Sequence, residues 1–147
     1  MTETSKAARK DLDAICALLE ANRLPALPGE IPLSNVLVVL GDGSVVGAIA
    51  LEVACRRGLL HSAVVAPSHQ GKGIGTSLVA SLVARAHELG LRALYLVTGD
   101  ASDFFARSGF SAVERTEVPR EIQATRQYRE QCSDSAAVMC LPLSTRL

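Results

Sequence analysis

The spacing of apolar residues alternates along the chain between the repeat of a helix and the short runs of a sheet. Apolar residues at the interval of one helix face predict an amphipathic helix from about Arg9 to Asn22. The prolines and glycine from Pro25 to Pro32 then favour a loop. The apolar runs Val36–Leu40 and Val45–Val53 are joined by an Asp-Gly turn, which is typical of a β-hairpin.

The middle of the chain extends this sheet and then returns to a helix. A third apolar run, Leu59–Ala66, follows another tight turn, so three consecutive antiparallel strands are predicted. A helical repeat runs from about Ile74 to Leu89, and Gly90 is a suitable helix end. Leu91–Thr98 is apolar almost throughout, as in a strand that is covered on both faces.

The C-terminal third contains shorter elements. The pattern predicts a helix at Ala101–Ser108 and strands at Phe110–Glu114 and Ala136–Leu141. A polar segment, from about Thr116 to Ser135, connects the two strands, and its Ile122–Gln131 portion is able to hold a helical turn. Connections of this length often have a function.

The order of these elements predicts the fold class. We expect an α/β (α+β) fold with a mixed, mostly antiparallel sheet and helices on both of its faces. A chain of 147 residues favours a single domain, which would span residues 1–147.

Composition narrows the range of partners. Fifteen basic residues balance fifteen acidic ones, so the net charge indicates neither a nucleic acid nor a membrane as partner. No apolar run approaches the roughly 18 residues of a membrane span, and the N-terminus lacks the apolar stretch of a signal peptide. The four cysteines form no C-x-x-C pair, which argues against a zinc ribbon. We expect a soluble cytoplasmic protein with reduced thiols and no metal.

A glycine-rich turn lies between a predicted strand and the start of the predicted central helix. The first N–H groups of a helix have no partner within it, and the helix dipole adds about half a positive charge, so this position suits a phosphate group. Glycines bring the backbone close to a ligand because they have no Cβ. The alternative is that they only form a tight turn. The predicted phosphate-binding residues are Gln70, Gly71, Lys72, Gly73, Ile74, Gly75 and Thr76.

Two other nucleotide-binding motifs fit this turn less well. A Walker loop requires Ser or Thr after its lysine, whereas Gly73 follows Lys72. A Rossmann turn would have its third glycine one position later and would follow parallel rather than hairpin-linked strands.

Several motifs together resemble the GNAT superfamily of N-acetyltransferases. They are the strand end Ala63-Val64-Val65-Ala66-Pro67, the Gln-x-x-Gly-x-Gly turn at Gln70, Gly73 and Gly75, and the segment from Phe104 to Phe110. The resemblance covers the chain from about Val36 to Leu141. It implies that acetyl-CoA lies between the strands Leu59–Ala66 and Leu91–Thr98, which separate after a bulge near Val64.

The resemblance also implies roles for individual residues. The main chain of Ala63, Val64 and Val65 would bind the acetyl carbonyl and pantetheine, with the Val65 N–H as oxyanion donor. A neutral amine would attack the thioester directly, without a covalent enzyme intermediate, so position and a fixed N–H dipole would supply most of the catalysis.

Proton transfer is where the sequence departs from the family pattern. Phe105, at the coenzyme site, stands where many members have a tyrosine that protonates the leaving thiolate, and Thr98 stands where many have asparagine. Tyr128 and, less well placed, Tyr95 are substitutes for the acid.

Two residues are candidates for the base that accepts the proton of the amine. Glu52 and His61 lie on adjacent predicted strands. The alternatives are a solvent-facing charge for Glu52 and a half-buried strand residue for His61.

The C-terminal third is similar to the GNAT acetyltransferases found with arsenic-resistance genes and to the acetyltransferase domain of N-acetylglutamate synthase. This narrower resemblance implies a small amino acid or amino-acid analogue as the acceptor. Its carboxylate would pair with an arginine, for which Arg120, Arg126 and Arg129 are candidates, with Arg115 behind them. The alternative is that most are solvated loop charges. Cys132 is more simply a packed thiol than an arsenic ligand.

Two further questions stay open at this level. The absence of the tyrosine at Phe105 leaves a non-catalytic coenzyme-sensing module of the same fold as an alternative to an enzyme. The oligomeric state, with a homodimer as one option, is not decided by the sequence.

Overall fold

The computed structural model describes residues 2–143 apart from positions 132 and 134. The strands are β1 (Thr2–Lys6), β2 (Val36–Gly41), β3 (Ser44–Ala54), β4 (Arg57–Val65), β5 (Ala93–Thr98), β6 (Ser111–Ala112) and β7 (Ala137–Pro142). The α-helices are α1 (Leu12–Ala21), α2 (Ile74–Glu88), α3 (Ser102–Arg107), α4 (Arg120–Gln123) and α5 (Arg126–Gln131). Among the helices so described, none is long and apolar enough to cross a membrane.

The strands form a seven-stranded sheet in the order β1-β2-β3-β4-β5-β7-β6. β1 and β3 pair antiparallel with β2, and β5 and β6 pair antiparallel with β7. β4 pairs in parallel with β5, where Arg57–Leu59 lie beside Ala93–Tyr95. The predicted mixed, mostly antiparallel sheet is confirmed.

The first strand was not predicted from the apolar pattern. β1 consists of the residues TETSK, and its register runs from Thr2 opposite Gly41 to Lys6 opposite Leu37. The backbone of β1 pairs with β2 through main-chain groups that every residue type supplies, and polar side chains on an edge strand discourage unwanted pairing. A period-two apolar pattern is therefore absent where this strand forms.

The chain forms two compact units, of which the first comprises the described residues up to Glu52 together with His61–Arg85. One face of its sheet packs against α1, and the shared core consists of Ala7, Ile15, Leu19, Ile31, Val36, Val38, Ala48, Ala50 and Val64. The helix begins after a 3-10 turn in which Asp11 Oδ2 accepts the Ala8 N–H at 2.8 Å. The 3-10 turn occupies Arg9–Asp11, so α1 starts at Leu12 rather than at Arg9.

The second unit comprises Val53–Leu60 and the described residues from Ala86 onward. Its core brings side chains of α4 and α5 onto the sheet, and consists of Leu59, Ala93, Tyr95, Val118, Ile122, Tyr128, Val138 and Cys140. The long polar connection predicted from the sequence thus contains two short helices. Thr125 starts α5, because its hydroxyl donates to the Ile122 carbonyl at 2.7 Å and accepts the Tyr128 N–H at 3.2 Å.

Gly47 lets the start of α2 approach the first unit's sheet closely. A Cβ at this position would lie 3.1 Å from side-chain atoms of both Ile74 and Leu78 and 3.4 Å from the Val64 carbonyl oxygen. A glycine inside a strand commonly marks such a close approach. The absence of a side chain at Gly47 therefore sets how near the first turn of α2 lies to the end of β4.

We expect Gly47→Val to destabilise the protein by about 1–3 kcal/mol, because two methyl groups would enter a filled space. Thermal or urea unfolding measures this. The matched control is Gly29→Val, since nothing lies within 4 Å of a Cβ built at Gly29. Equal stability of the two variants would contradict the close packing at Gly47.

Candidate functional site

The turn before α2 has the geometry of an anion cradle. Gly71 has φ 78° and Gly73 has φ 82°, a left-handed conformation that glycine adopts without strain. Nothing lies within 4 Å of a Cβ built at either glycine, so there is open space on that side of each residue. The first helical hydrogen bond of α2 runs from the Ser77 N–H to the Gly73 carbonyl at 3.0 Å. The N–H groups of residues 74–76 therefore have no acceptor inside the helix.

The side chains around this turn divide into anchors and exposed groups. Ile74 is only 4 % exposed and its side chain packs in the core. Only its N–H group could therefore contact an anion. Lys72 and Thr76 are exposed, and Gly75 is half-buried. An ammonium group, a hydroxyl and a row of main-chain N–H groups are the donors that suit a diphosphate. The seven residues predicted for this site are consecutive in the chain, and their binding of a diphosphate stays a prediction.

The end of β4 lies directly before the turn and is irregular. Ser62 has φ 58° in the middle of the strand, a conformation uncommon for residues other than glycine. Such a residue interrupts a ladder in the manner of a β-bulge. The irregularity thus occurs two residues before Val64, near which the bulge was expected. Val64 is buried in the core, whereas Ala63 and Val65 are half-buried.

One peptide at this strand end is held from both sides. The Val65 carbonyl accepts a hydrogen bond from Gln70 Nε2 at 3.1 Å. The N–H of the same peptide, which belongs to Ala66, donates to the Val46 carbonyl at 2.8 Å. The Val46 contact could not be predicted from the sequence, because a hydrogen bond between two main-chain groups does not require particular residue types.

Glu52 and His61, the two candidate bases, form a pair. His61 Nε2 lies 3.2 Å from Glu52 Oε1, with the imidazole 2 % and the carboxylate side chain 22 % exposed. Burial lowers the pKa of His61 from 6.5 to about 4, and the Glu30 carboxylate opposes this shift only in part. The imidazole is therefore neutral at pH 7. It can donate Nε2–H to the Glu52 carboxylate and so hold that group in place.

Phe105, which stands where many family members have a tyrosine, is surrounded by other aromatic rings. Phe105 is 6 % exposed, and its ring meets those of Phe104 and Phe110 edge to face, at centroid distances of 5.1 and 5.8 Å. Thr98 lies at the end of β5, and its hydroxyl accepts the Ala101 N–H at 3.0 Å ahead of α3. Thr98 thus has a structural task at the turn into α3.

The two candidate acids are both buried in the second unit. Tyr128 is 9 % exposed and Tyr95 is 8 % exposed. Burial, with a smaller contribution from the neighbouring Cys140 thiol, raises the pKa of Tyr95 to about 12. Tyr95 is therefore a poor proton donor near neutral pH, whereas Tyr128 stays a candidate.

The three candidate arginines for a carboxylate lie on α4 and α5. Arg120, Arg126 and Arg129 are all exposed. Arg126 Nε lies 3.7 Å from Glu130 Oε1, one helical turn further on. An exposed pair of this kind contributes little to stability. Because all three arginine side chains are exposed, an anion in solution can reach their guanidinium groups.

Two contacts that the sequence did not reveal fix this arginine-bearing segment. The Arg115 guanidinium donates to the carbonyls of Ser133 and Ala136, the latter at 2.9 Å. Arg115 is thus engaged in closing the segment rather than placed as a carboxylate ligand. Arg57 Nη1 lies 2.6 Å from Glu121 Oε1, which ties the start of β4 to α4.

Cysteines and acidic groups form no metal site in the part of the chain that the structure describes. Cys16 and Cys55 are exposed and Cys140 is buried, all three as free thiols. Burial raises the pKa of the Cys140 thiol, which lowers the fraction of reactive thiolate. Cys132 lies outside the described residues.

Comparisons with known proteins agree with the geometry. The model of the Acetyltransferase (GNAT) family matches residues 13–110. The chain is 37 % identical over 81 residues to an amino-acid acetyltransferase of Mycobacterium tuberculosis (strain ATCC 25618 / H37Rv), covering 54 % of this chain and 46 % of that protein. It is 29 % identical over 96 residues to an amino-acid acetyltransferase of Aeromonas salmonicida, covering 64 % of this chain and 22 % of that protein. The chain thus spans less than half the length of these relatives.

Solved structures share the fold. N-acetylglutamate synthase from Neisseria gonorrhoeae, complexed with coenzyme A and N-acetyl-glutamate, matches with a TM-score of 0.84 and 23 % identity, over 99 % of this chain and 36 % of that one. A Mycobacterium tuberculosis protein in complex with CoA matches with a TM-score of 0.77 and 24 % identity, over 97 % and 99 % of the two chains.

The low pKa of His61 predicts a specific loss of stability in acid. The unfolded chain takes up a proton at this residue near pH 6.5, whereas the folded protein does so only near pH 4. Stability should therefore fall by about 3 kcal/mol as the pH drops from 6.5 to 4, and His61→Gln should remove that part of the fall.

Thermal or denaturant unfolding at several pH values measures this slope. His87→Gln is the control, since His87 is an exposed histidine on α2. An unchanged slope in His61→Gln would contradict the burial of a neutral imidazole.

Proposed function

The chain belongs to the acetyltransferase (GNAT) family, and we propose that it is an N-acetyltransferase that uses acetyl-CoA to acetylate a small amino acid or amino-acid analogue. The observation that supports the proposal is the turn at Gln70–Gly75, where two left-handed glycines with open space around them precede the first N–H groups of α2. Such a cradle fits the diphosphate of coenzyme A. The names of the relatives favour an amino acid as the acceptor.

Main-chain groups of the first unit would hold the coenzyme. The N–H groups of residues 74–76 and the Lys72 ammonium would bind its diphosphate, with Thr76 adding a hydroxyl donor. The backbone of Ala63–Val65 would bind the pantetheine and acetyl end. Acetyl-CoA supplies an acetyl group activated as a thioester. The Val65 N–H is our candidate for the donor that stabilises the carbonyl oxygen as negative charge develops on it.

Glu52 is our candidate for the general base. A carboxylate held by a neutral imidazole can accept the amine proton, directly or through water. His61 would act through Glu52, because its own low pKa makes it a weak proton acceptor.

Acetyl transfer from a thioester depends less on a general acid than on a general base. Thiols are far more acidic than alcohols or amines, the cysteine side chain having an ordinary pKa near 8.5, so the coenzyme sulfur can leave as thiolate without a protein donor. The absence of a hydroxyl at Phe105 is compatible with activity for this reason. Tyr128 is the remaining candidate for a donor.

The acceptor would be recognised through its carboxylate by the arginines of α4 and α5. A guanidinium group binds a carboxylate in a bidentate manner, which gives both charge and orientation. A glutamate-like acceptor is favoured by the N-acetylglutamate in the complex of the Neisseria gonorrhoeae enzyme. Arsenic-related amino-acid analogues and a cytoplasmic role in arsenic resistance stay predictions from the sequence resemblance.

The direct test is release of free thiol from acetyl-CoA in the presence of a panel of amino acids. We expect release with at least one amino acid and none with Gly73→Asp, because a carboxylate and a Cβ would occupy the place of the diphosphate. Calorimetry should show that acetyl-CoA affinity is lost in the same variant.

The matched control is Gly43→Asp, since Gly43 also has a left-handed φ, 81°, and open space around it. Unchanged acetyl-CoA affinity in Gly73→Asp would disprove the site. Coenzyme binding without thiol release for any amine would favour the coenzyme-sensing module.

Truncation of Arg126 or Arg129 to alanine should raise the KM of the acceptor about tenfold, because a hydrogen-bonded charge pair with its carboxylate is lost. Acetyl-CoA affinity should stay the same. Steady-state kinetics with each substrate varied in turn measure both values. Arg9→Ala, at another exposed arginine, is the control. If neither variant affects the acceptor KM, the carboxylate is bound elsewhere.

A further inference from the structure

We propose that Ser62 is a further catalytic residue for acetyl transfer, whose hydroxyl donates a hydrogen bond to the coenzyme sulfur as that atom leaves. The proposal rests on the proposed function, because it takes the main chain of residues 63–65 as the place where the acetyl end of the coenzyme binds. It assigns a side chain to the step for which Phe105 provides no hydroxyl.

The backbone of Ser62 has an unfavourable conformation. Its φ of 58° lies in the left-handed region, which residues other than glycine enter only at a cost in free energy. The other non-glycine residues with a positive φ in the described part of the chain are Arg23, Asp42 and Cys55, and all three lie in turns. Ser62, in contrast, lies inside β4.

Glycine would provide the same backbone shape without strain. The chain does use glycine at the left-handed positions of the next turn, Gly71 and Gly73. Strained conformations that persist are concentrated at functional sites, where the surrounding structure maintains them. The retention of a side chain at Ser62 therefore indicates a role for its hydroxyl beyond the shape of the strand.

Ser62 lies in the chain between two parts of the proposed reaction site. The preceding residue, His61, contacts Glu52 Oε1 at 3.2 Å, and the following residue, Ala63, begins the segment proposed to bind the acetyl end. Ser62 is half-buried, and its hydroxyl forms no hydrogen bond within the part of the chain that the structure describes. The O–H group is therefore available to a bound ligand.

The coenzyme sulfur is the reacting atom that lacks an assigned donor. In the transfer, the amine nitrogen bonds to the acetyl carbon, the bond from that carbon to sulfur breaks, and sulfur takes the electron pair. Glu52 is the candidate that accepts the amine proton. A hydrogen bond to an ionised acceptor is stronger than one between neutral groups, so the Ser62 O–H would stabilise the thiolate. Ser62 keeps its proton, and the thiolate is protonated by solvent after release.

The direct test measures the pKa of the thiol of CoA bound to the protein, from the ultraviolet absorption of the thiolate in a pH titration against the coenzyme-free protein. Ser62→Ala and Ser62→Gly should each raise this pKa by about 1, because the donor to the thiolate is lost. Ser44→Ala is the control, since it removes an exposed hydroxyl at the start of β3. An unchanged thiol pKa in both Ser62 variants would overturn the proposal.

Tyr128→Phe examines the competing donor in the same titration. A rise of the thiol pKa in Tyr128→Phe, with none in Ser62→Ala, would assign the donor to Tyr128 and overturn the role of Ser62. A rise in the Ser62 variants supports the proposal.

Steady-state kinetics give a second measurement, with the amino acid that yields the fastest thiol release by the wild-type protein. In Ser62→Ala, kcat should fall about tenfold, while the Kd of acetyl-CoA from calorimetry changes less than about twofold. A higher KM of the amino acid at unchanged thiol pKa would make Ser62 a ligand of the acceptor and overturn the proposal.

Thermal unfolding separates the strain from the loss of the hydroxyl. Ser62→Gly should melt about 2–4 °C above Ser62→Ala, because glycine adopts the left-handed conformation without strain whereas alanine does not. Equal melting temperatures would remove the strain from which the role of the side chain is inferred, and would overturn the proposal.

Failure of the proposed function is distinguishable from failure of this proposal. If no amino acid yields thiol release, the proposed function fails, whereas the thiol pKa of bound CoA still decides the role of Ser62. Absence of CoA binding to the wild-type protein would overturn both.

Discussion

Amide groups without an acceptor at the start of α2 are the constraint on which the arrangement of the first unit depends. A helix cannot satisfy its first N–H groups internally, so they must meet solvent, a side chain or a ligand. Here two left-handed glycines, Gly71 and Gly73, lie in the preceding turn, and nothing lies within 4 Å of a Cβ built at either. A turn of this kind at a helix start suits an anion, which could accept hydrogen bonds from these donors.

The same constraint explains a feature of the sheet. The exposed amides are useful only if they are held at a fixed distance from the strand end where the chemistry is proposed. Gly47 lets Ile74 and Leu78 of α2 contact the sheet beside the Val64 carbonyl, and Ile74 is itself part of the turn. The packing of the apolar side chains of Ile74 and Leu78 therefore determines where the glycine-rich turn lies relative to β4. This is why a glycine in β3, which contacts no ligand in our proposal, belongs to the description of the site.

The sequence predicted those parts of the molecule whose signals are local. The hairpin strands and α2 were recovered because each has a clear apolar period and a glycine-rich boundary. The polar strand β1 was not, since its hydrogen bonds come from β2 and its side chains carry no pattern. In the site, Gln70 to Gly75 could be identified from glycine spacing. The Glu52–His61 contact and the two carbonyls held by Arg115 could not, because pairing across strands or across a long segment depends on register that residue types do not encode.

Coenzyme binding and acceptor recognition would use different parts of the residues, and this difference bears on acceptor specificity. Under the proposed function, the coenzyme is bound mainly by main-chain groups, which most substitutions leave in place. Acceptor recognition would depend on side chains of α4 and α5, two helices of four and six residues. Helices this short are not stable by themselves. They are held by the Arg57–Glu121 pair, by Arg115 and by the buried Ile122 and Tyr128. Substitutions on their exposed faces can therefore change the preferred acceptor, while the contacts that hold them keep the segment folded.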